Sequence, residues 1–171
     1  MLGIYNNFPS NIHETENFNS PVSKKKLQQK ITQTLQKLNR QVLTFEEIGN
    51  PTIPNSQVIF EFGIADGENF CFLNEEESLR LQELVENEPL HVMDWFCLIR
   101  YYRKIDEQTK RPLKFDYYMI RIGFGEKATV DLRVFHERGP RYISPEELVL
   151  FIVQKVNGVS VRKMLKQIDQ N

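Results

Sequence analysis

Cysteine, histidine and long apolar runs are scarce in this chain, and each shortage argues against a class of function. Only Cys71 and Cys97 occur among the 171 residues, both inside apolar stretches. Buried reduced thiols are therefore expected rather than a disulfide framework or a metal site. No CxxC, no HExxH and no His/Cys cluster is present, so no metal is called for. The three histidines, His13, His91 and His136, lie far apart along the chain. GxSxG, Walker A and GxGxxG motifs are missing, and no cofactor is implied. Gly123-Phe124-Gly125 reads as a hairpin end, not a phosphate loop. The longest aliphatic and aromatic run, Leu148 to Val153, is much too short to span a bilayer. No basic stretch followed by an apolar one opens the chain, so no signal peptide is read. The expectation is a cytoplasmic protein with no membrane partner.

Charge is plentiful, and its distribution is uneven. From Val42 to His91 there are eleven acidic residues and one basic residue, Arg80. From Val92 to Arg141 there are eleven basic residues and seven acidic ones. The net charge of -1 conceals this split. Segregated charge creates a directional surface field, which selects partners.

The chain length fits one domain with a sizeable core. Residues 1–8 read as a short strand and residues 9–20, rich in Asn, Ser, Pro and Glu, as a loop. From Ser23, Leu27, Ile31, Leu35, Leu38 and Val42 form one helical stripe, with Lys24, Gln28, Lys30, Gln33 and Lys37 on the wet side. Val58 to Ile64 alternates like a strand and turns at Ala65-Asp66-Gly67, which would set Phe62 opposite Phe70 and Phe60 opposite Phe72. Asn74 reads as a helix cap followed by three glutamates, with Leu81, Leu84 and Val85 inward.

Three strands are expected from 91 to 138: Val92 to Arg103, then a polar loop through Pro112, Phe115 to Phe124, and Thr129 to Arg138. The last two pair with Phe124 opposite Ala128 and Arg121 opposite Asp131. A two-residue slip would oppose Arg121 and Arg133, which like-charge repulsion disfavours. Ser144-Pro145-Glu146-Glu147 starts a deeply packed helix that ends at Asn157-Gly158. Residues 159–171 read as a terminal helix capped by Ser160, with Val161, Met164, Leu165 and Ile168 on one stripe, which packs on the domain or docks on a partner. The order β-α-β-β-α-β-β-β-α-α gives an α+β domain. Its mostly antiparallel sheet of about five to six strands has helices on one face.

One face of the 92–138 meander is apolar: Trp95, Cys97, Ile99, Tyr118, Ile120, Ile122, Val130, Leu132 and Val134. The other carries Leu98, Arg100, Tyr102, Tyr117, Met119, Arg121, Arg133 and Phe135. Rings with interleaved arginines suit a single-stranded nucleic-acid platform. A helix covering this face, with the arginines reaching past its edge, describes the same pattern. The segment His136-Glu137-Arg138-Gly139-Pro140-Arg141 precedes a helix N-terminus and could hold a phosphate, or it is an ordinary surface turn.

The first functional reading is therefore a non-enzymatic binding protein for nucleic acid or another polyanion. Arg100, Arg121, Arg133, His136, Arg138 and Arg141 would contact phosphates, and Tyr102, Tyr117 and Phe135 would stack. The second is a structural or adaptor subunit using the same face for a protein partner or a homodimer. The third is an enzyme acting on a phosphorylated substrate through strand carboxylates such as Glu61, Glu68, Asp116, Asp131 and Glu137.

Overall fold

The computed structural model describes residues 1–50, 53, 55–158 and 162–168. It is an α+β arrangement of one antiparallel sheet and three helices. The strands are β1 (Glu14–Asn19), β2 (Val42–Thr44), β3 (Ser56–Asp66), β4 (Asn69–Phe72), β5 (Val92–Lys104), β6 (Lys110–Phe124), β7 (Thr129–Arg138) and β8 (Lys166–Gln167). The helices are α1 (Lys24–Leu38), α2 (Glu75–Asn87) and α3 (Pro145–Asn157). Strand order across the sheet is β2-β3-β5-β6-β7-β1-β8, with β4 paired to β3.

Alternation along the central strands sorts side chains onto two faces. The inner face holds the nine residues expected there, from Trp95 to Val134, all buried. Helix residues Leu27, Ile31 and Leu35 of α1, Leu81 and Val85 of α2, and Leu148 and Ile152 of α3 belong to the same core. Phe151 of α3 stacks on Phe60 of β3 with centroids 5.3 Å apart. Among the described residues, no helix contributes to the other side of the meander, which the chain covers differently. Tyr5 donates its amide to Asp94 of β5, Phe8 lies on Arg121 of β6, and His13 stacks on Phe135 of β7. The first thirteen residues thus form a strap over one end of the outer face.

Each helix starts as its sequence dictates. The Ser23 hydroxyl accepts from the Lys26 amide, and the Asn74 side chain accepts from the Glu77 amide. Ser144 and Glu147 form a reciprocal capping box with Pro145 in the first turn. Gln28 departs from expectation. It is fully buried, and its amide both donates to the Leu90 carbonyl and accepts from the Leu90 amide, tying α1 to the lead-in of β5. Val42 leaves the α1 stripe altogether and lies exposed on β2. Leu84 is also partly exposed.

Other elements differ from their sequence reading for definite reasons. Residues 14–19, placed within a loop, form β1, the next-to-last strand of the sheet, bordered on its outer side only by the two-residue β8, and only Phe18 in it is buried. Its polar composition reflects that position, while its backbone groups are satisfied by β7. Residues 1–8 make only isolated bridges, Leu2 to Asp66 and Tyr5 to Gly67. Beyond α3, Asn157 clasps both backbone groups of Leu165, and β8 joins β1 where a helix was expected. Ser160 and Val161 of that expected helix lie outside the described residues.

Both hairpin registers are also shifted. Asp66 pairs with Asn69, so Phe70 faces Ala65 and Phe72 faces Gly63. Phe60 and Phe62 point into the core, whereas Phe70 packs on Phe96 of the outer face, so the rings cannot pair across this turn. In the second hairpin Phe124 pairs with Val130, and Arg121 stands opposite Arg133, the arrangement that repulsion was expected to forbid. The reason lies on another strand. Asp94 of β5, fully buried, takes Arg121 in two hydrogen bonds of 2.7 and 2.8 Å, and Arg133 is held by Asp131 at 2.8 Å. With both charges matched elsewhere, their opposition costs little.

Candidate functional site

The outer face is built around a row of rings. Tyr5, Phe70, Phe96, Tyr117 and Phe115 follow one another with centroid separations of 4.7, 5.5, 5.3 and 5.2 Å. Gly63 permits the crossing from β4 to β5. A β-carbon there would press on Phe70, at 3.4 Å, and on the Cys71 carbonyl, at 3.2 Å. The strap closes the Tyr5 end. The Phe115 end is open, and Phe115 is 42% exposed.

Each arginine expected to contact phosphate on this face has an acidic neighbour. Arg100 lies 3.6 Å from Glu61, and Arg138 lies 3.4 Å from Glu137 and also over the Tyr117 ring. Arg121 and Arg133 are paired as described above. This half of the face is locally close to neutral. Tyr117 and Phe135 lie on it, Phe135 beneath the stacked His13. Tyr102 lies nearer the open end, with the Lys110 ammonium 4.6 Å over its ring.

His136 and the 136–141 turn belong to a different structure. His136 points inward, where its Nε2 lies 2.8 Å from the buried Asp116 carboxylate. Asp116 also accepts from the Tyr101 hydroxyl at 2.6 Å and from the Arg141 and Tyr142 amides at 2.7 and 3.1 Å. Burial first, and the Tyr118 hydroxyl and Asp116 carboxylate next, push the Tyr101 phenol far above its ordinary pKa. Burial and Asp116 do the same to Tyr118, whose hydroxyl donates to the Ile143 carbonyl. Both phenols therefore remain neutral donors. The turn does form an anion-holding nest, but its occupant is the chain's own carboxylate. Of the three residues expected to hold phosphate here, His136 is buried, and Arg138 and Arg141 remain at the surface.

A cluster of unpaired cations lies where the sequence reads as a polar loop. β5 and β6 continue to Lys104 and Lys110, leaving a five-residue turn between them. Arg103 pairs across the hairpin with Arg111, and Lys104 with Lys110. Among the described residues, no ion pair includes Arg103, Lys104, Lys110, Arg111 or Lys114. Asp106, within the turn, is occupied by the amides of Gln108 and Thr109, which hold its pKa below the ordinary carboxylate value. The signal available in the sequence was the mirrored Arg103-Lys104 and Lys110-Arg111 flanking five residues. It becomes meaningful only once both pairs are known to lie on strands.

Among the described residues, no three His, Cys, Asp or Glu side chains group to hold a metal, and no helix is long and apolar enough to cross a membrane. Comparison with known protein families, curated proteins and solved structures gives no match.

Proposed function

We propose that this chain is a non-enzymatic binding protein that takes a polyanion, nucleic acid foremost, at the open end of its outer sheet face. The observation that carries this reading is the two pairs of opposed like charges in the β5–β6 hairpin, Arg103 with Arg111 and Lys104 with Lys110. Such pairs destabilise a sheet by roughly 0.2–1 kcal/mol each. Carboxylates pair directly with the outer arginines, whereas among the described residues no ion pair includes the four opposed cations of the hairpin, although Asp106 and Glu107 lie in its turn. A phosphate backbone would neutralise it, and counterion release would supply the affinity. On this reading Arg100, Arg121, Arg133 and Arg138 mainly position the rings and strands.

An adaptor role draws on one separate observation. The paired arginines leave a near-neutral aromatic half-face, which suits a protein partner better than a phosphate chain. Catalysis gains less, because Glu61, Asp94, Asp131 and Glu137 are each engaged by an arginine and Asp116 is enclosed by its own donors.

Two charge reversals test the proposal. Lys104→Glu would face Lys110, and Arg111→Glu would face Arg103. Each is expected to raise unfolding free energy by a few tenths to about 1 kcal/mol. Each should also weaken heparin and nucleic-acid binding about tenfold or more and flatten its dependence on salt. Unchanged binding in both variants would refute the proposal. So would failure of the native protein to bind any polyanion at low salt, and co-purification of a protein partner in that case would favour the adaptor role.

A further inference from the structure

Building on the polyanion reading, we infer that the ligand is single-stranded nucleic acid, with phosphates at Lys104 and Lys110 and bases stacked on Phe115 and Tyr117. Cations and rings share a face here. Tyr102 and Lys104 are two residues apart on β5, Lys110 stands opposite Lys104, and its ammonium sits 4.6 Å over the Tyr102 ring. Phe115 stands opposite Arg100, and Tyr117 opposite Leu98, so both rings project from that same face. The two rings meet edge to face at 5.2 Å and 79°. Phe115 lies 42% exposed on a strand whose reverse side, at Asp116 and Tyr118, is fully buried.

A closed duplex offers phosphates and groove edges, and its base faces are already stacked on one another. It satisfies the lysines and leaves the rings unused. A single strand satisfies both, because each unstacked base has a free face beside a phosphate. The strap limits the length of the site. Tyr5 already covers Phe70 and Phe8 covers Arg121, so the open track ends near Tyr117, where a base would share the ring with the Arg138 guanidinium 5.0 Å from its centroid. Room remains for about two or three bases, as on other sheet platforms.

The test is fluorescence anisotropy at low salt with fluorescein-labelled oligo(U) and oligo(dT) of about ten nucleotides, a hairpin duplex of similar length, and heparin as competitor. Single strands should bind about tenfold tighter than the duplex. Phe115→Leu and Tyr117→Leu keep apolar bulk but remove the ring. Each should weaken single-strand binding about 5- to 100-fold while leaving heparin binding and the salt slope unchanged. Lys104→Ala with Lys110→Ala should weaken every polyanion and reduce the single-strand salt slope by about 1.4. The oligo(U) and oligo(dT) arms separate RNA from DNA. Equal or tighter duplex binding, or ring variants with native affinity, would overturn the inference and leave the polyanion reading standing. If heparin, duplex and single strands all stay unbound, both fall.

Discussion

Gly139 shows how much one residue can determine. Its φ is +111°, and a β-carbon there would lie 2.4 Å from both Asp116 Oδ1 and the Phe115 carbonyl. Glycine is required by backbone conformation and by space, because the chain must curl tightly around a buried carboxylate. Gly139→Ala should therefore cost about 1–3 kcal/mol or more in urea denaturation, with Pro140→Ala as a milder control. A second residue-scale effect depends on pH. His13 Nδ1 accepts from the His136 amide, which requires a neutral ring. Partial burial, then repulsion from Arg141 and His136, lowers its pKa below the ordinary 6.5. The unfolded chain thus takes up this proton more readily than the folded one. The contribution is complete above about pH 6.5 and is lost as pH falls toward the depressed value. His13→Asn, which keeps an acceptor without titrating, should show a smaller drop in urea midpoint between about pH 7 and pH 5.5.

At the scale of elements, the β6–β7 register shows why local reasoning stops where it does. Judged from two strands, Arg121 opposite Arg133 is unfavourable. The third strand supplies Asp94, and the electrostatic balance reverses. Breaking that match should be expensive. Arg121→Met leaves Asp94 buried with only the Tyr5 amide and should cost about 3 kcal/mol. The double variant Asp94→Leu with Arg121→Met should recover much of that loss, measured by the same denaturation series. A fully additive double variant would show that the pair is not coupled. Elements coded by local chemistry were legible: the three helix caps, the α1 stripe from Leu27 to Leu38 and the apolar face of the meander all follow from short-range spacing. β1 and β8 were not legible, because strands at the margin of a sheet need few apolar residues once a neighbour satisfies their hydrogen bonds.

Across the whole molecule, the acidic and basic halves of the sequence prove to be interleaved. Acidic α2 packs beside lysine-bearing α1, with Lys25 3.7 Å from Glu86, and the meander arginines meet carboxylates from β3, β5 and β7. The β5–β6 hairpin extends past these partners, and among the described residues no ion pair includes its opposed cations. Stability and binding should therefore oppose each other in that hairpin, where like charges stand directly opposite. The charge reversals at Lys104 and Arg111 test this at molecular scale by pairing a denaturation midpoint with a salt titration. The candidate site was half legible for the same reason. The outer face and its rings follow from alternation, but which cations remain unpaired depends on residues far away in sequence.

The sequence by itself determined the helix starts, the two-faced meander and the α+β class, because caps and periodicities act within a few residues. Only the tertiary structure decided the hairpin registers, the strap over the outer face, the internal carboxylate within the 136–141 turn and the hairpin's unmatched charge. Those depend on which strand lies beside which, and a charge has no meaning for binding until its nearest neighbours in space are known.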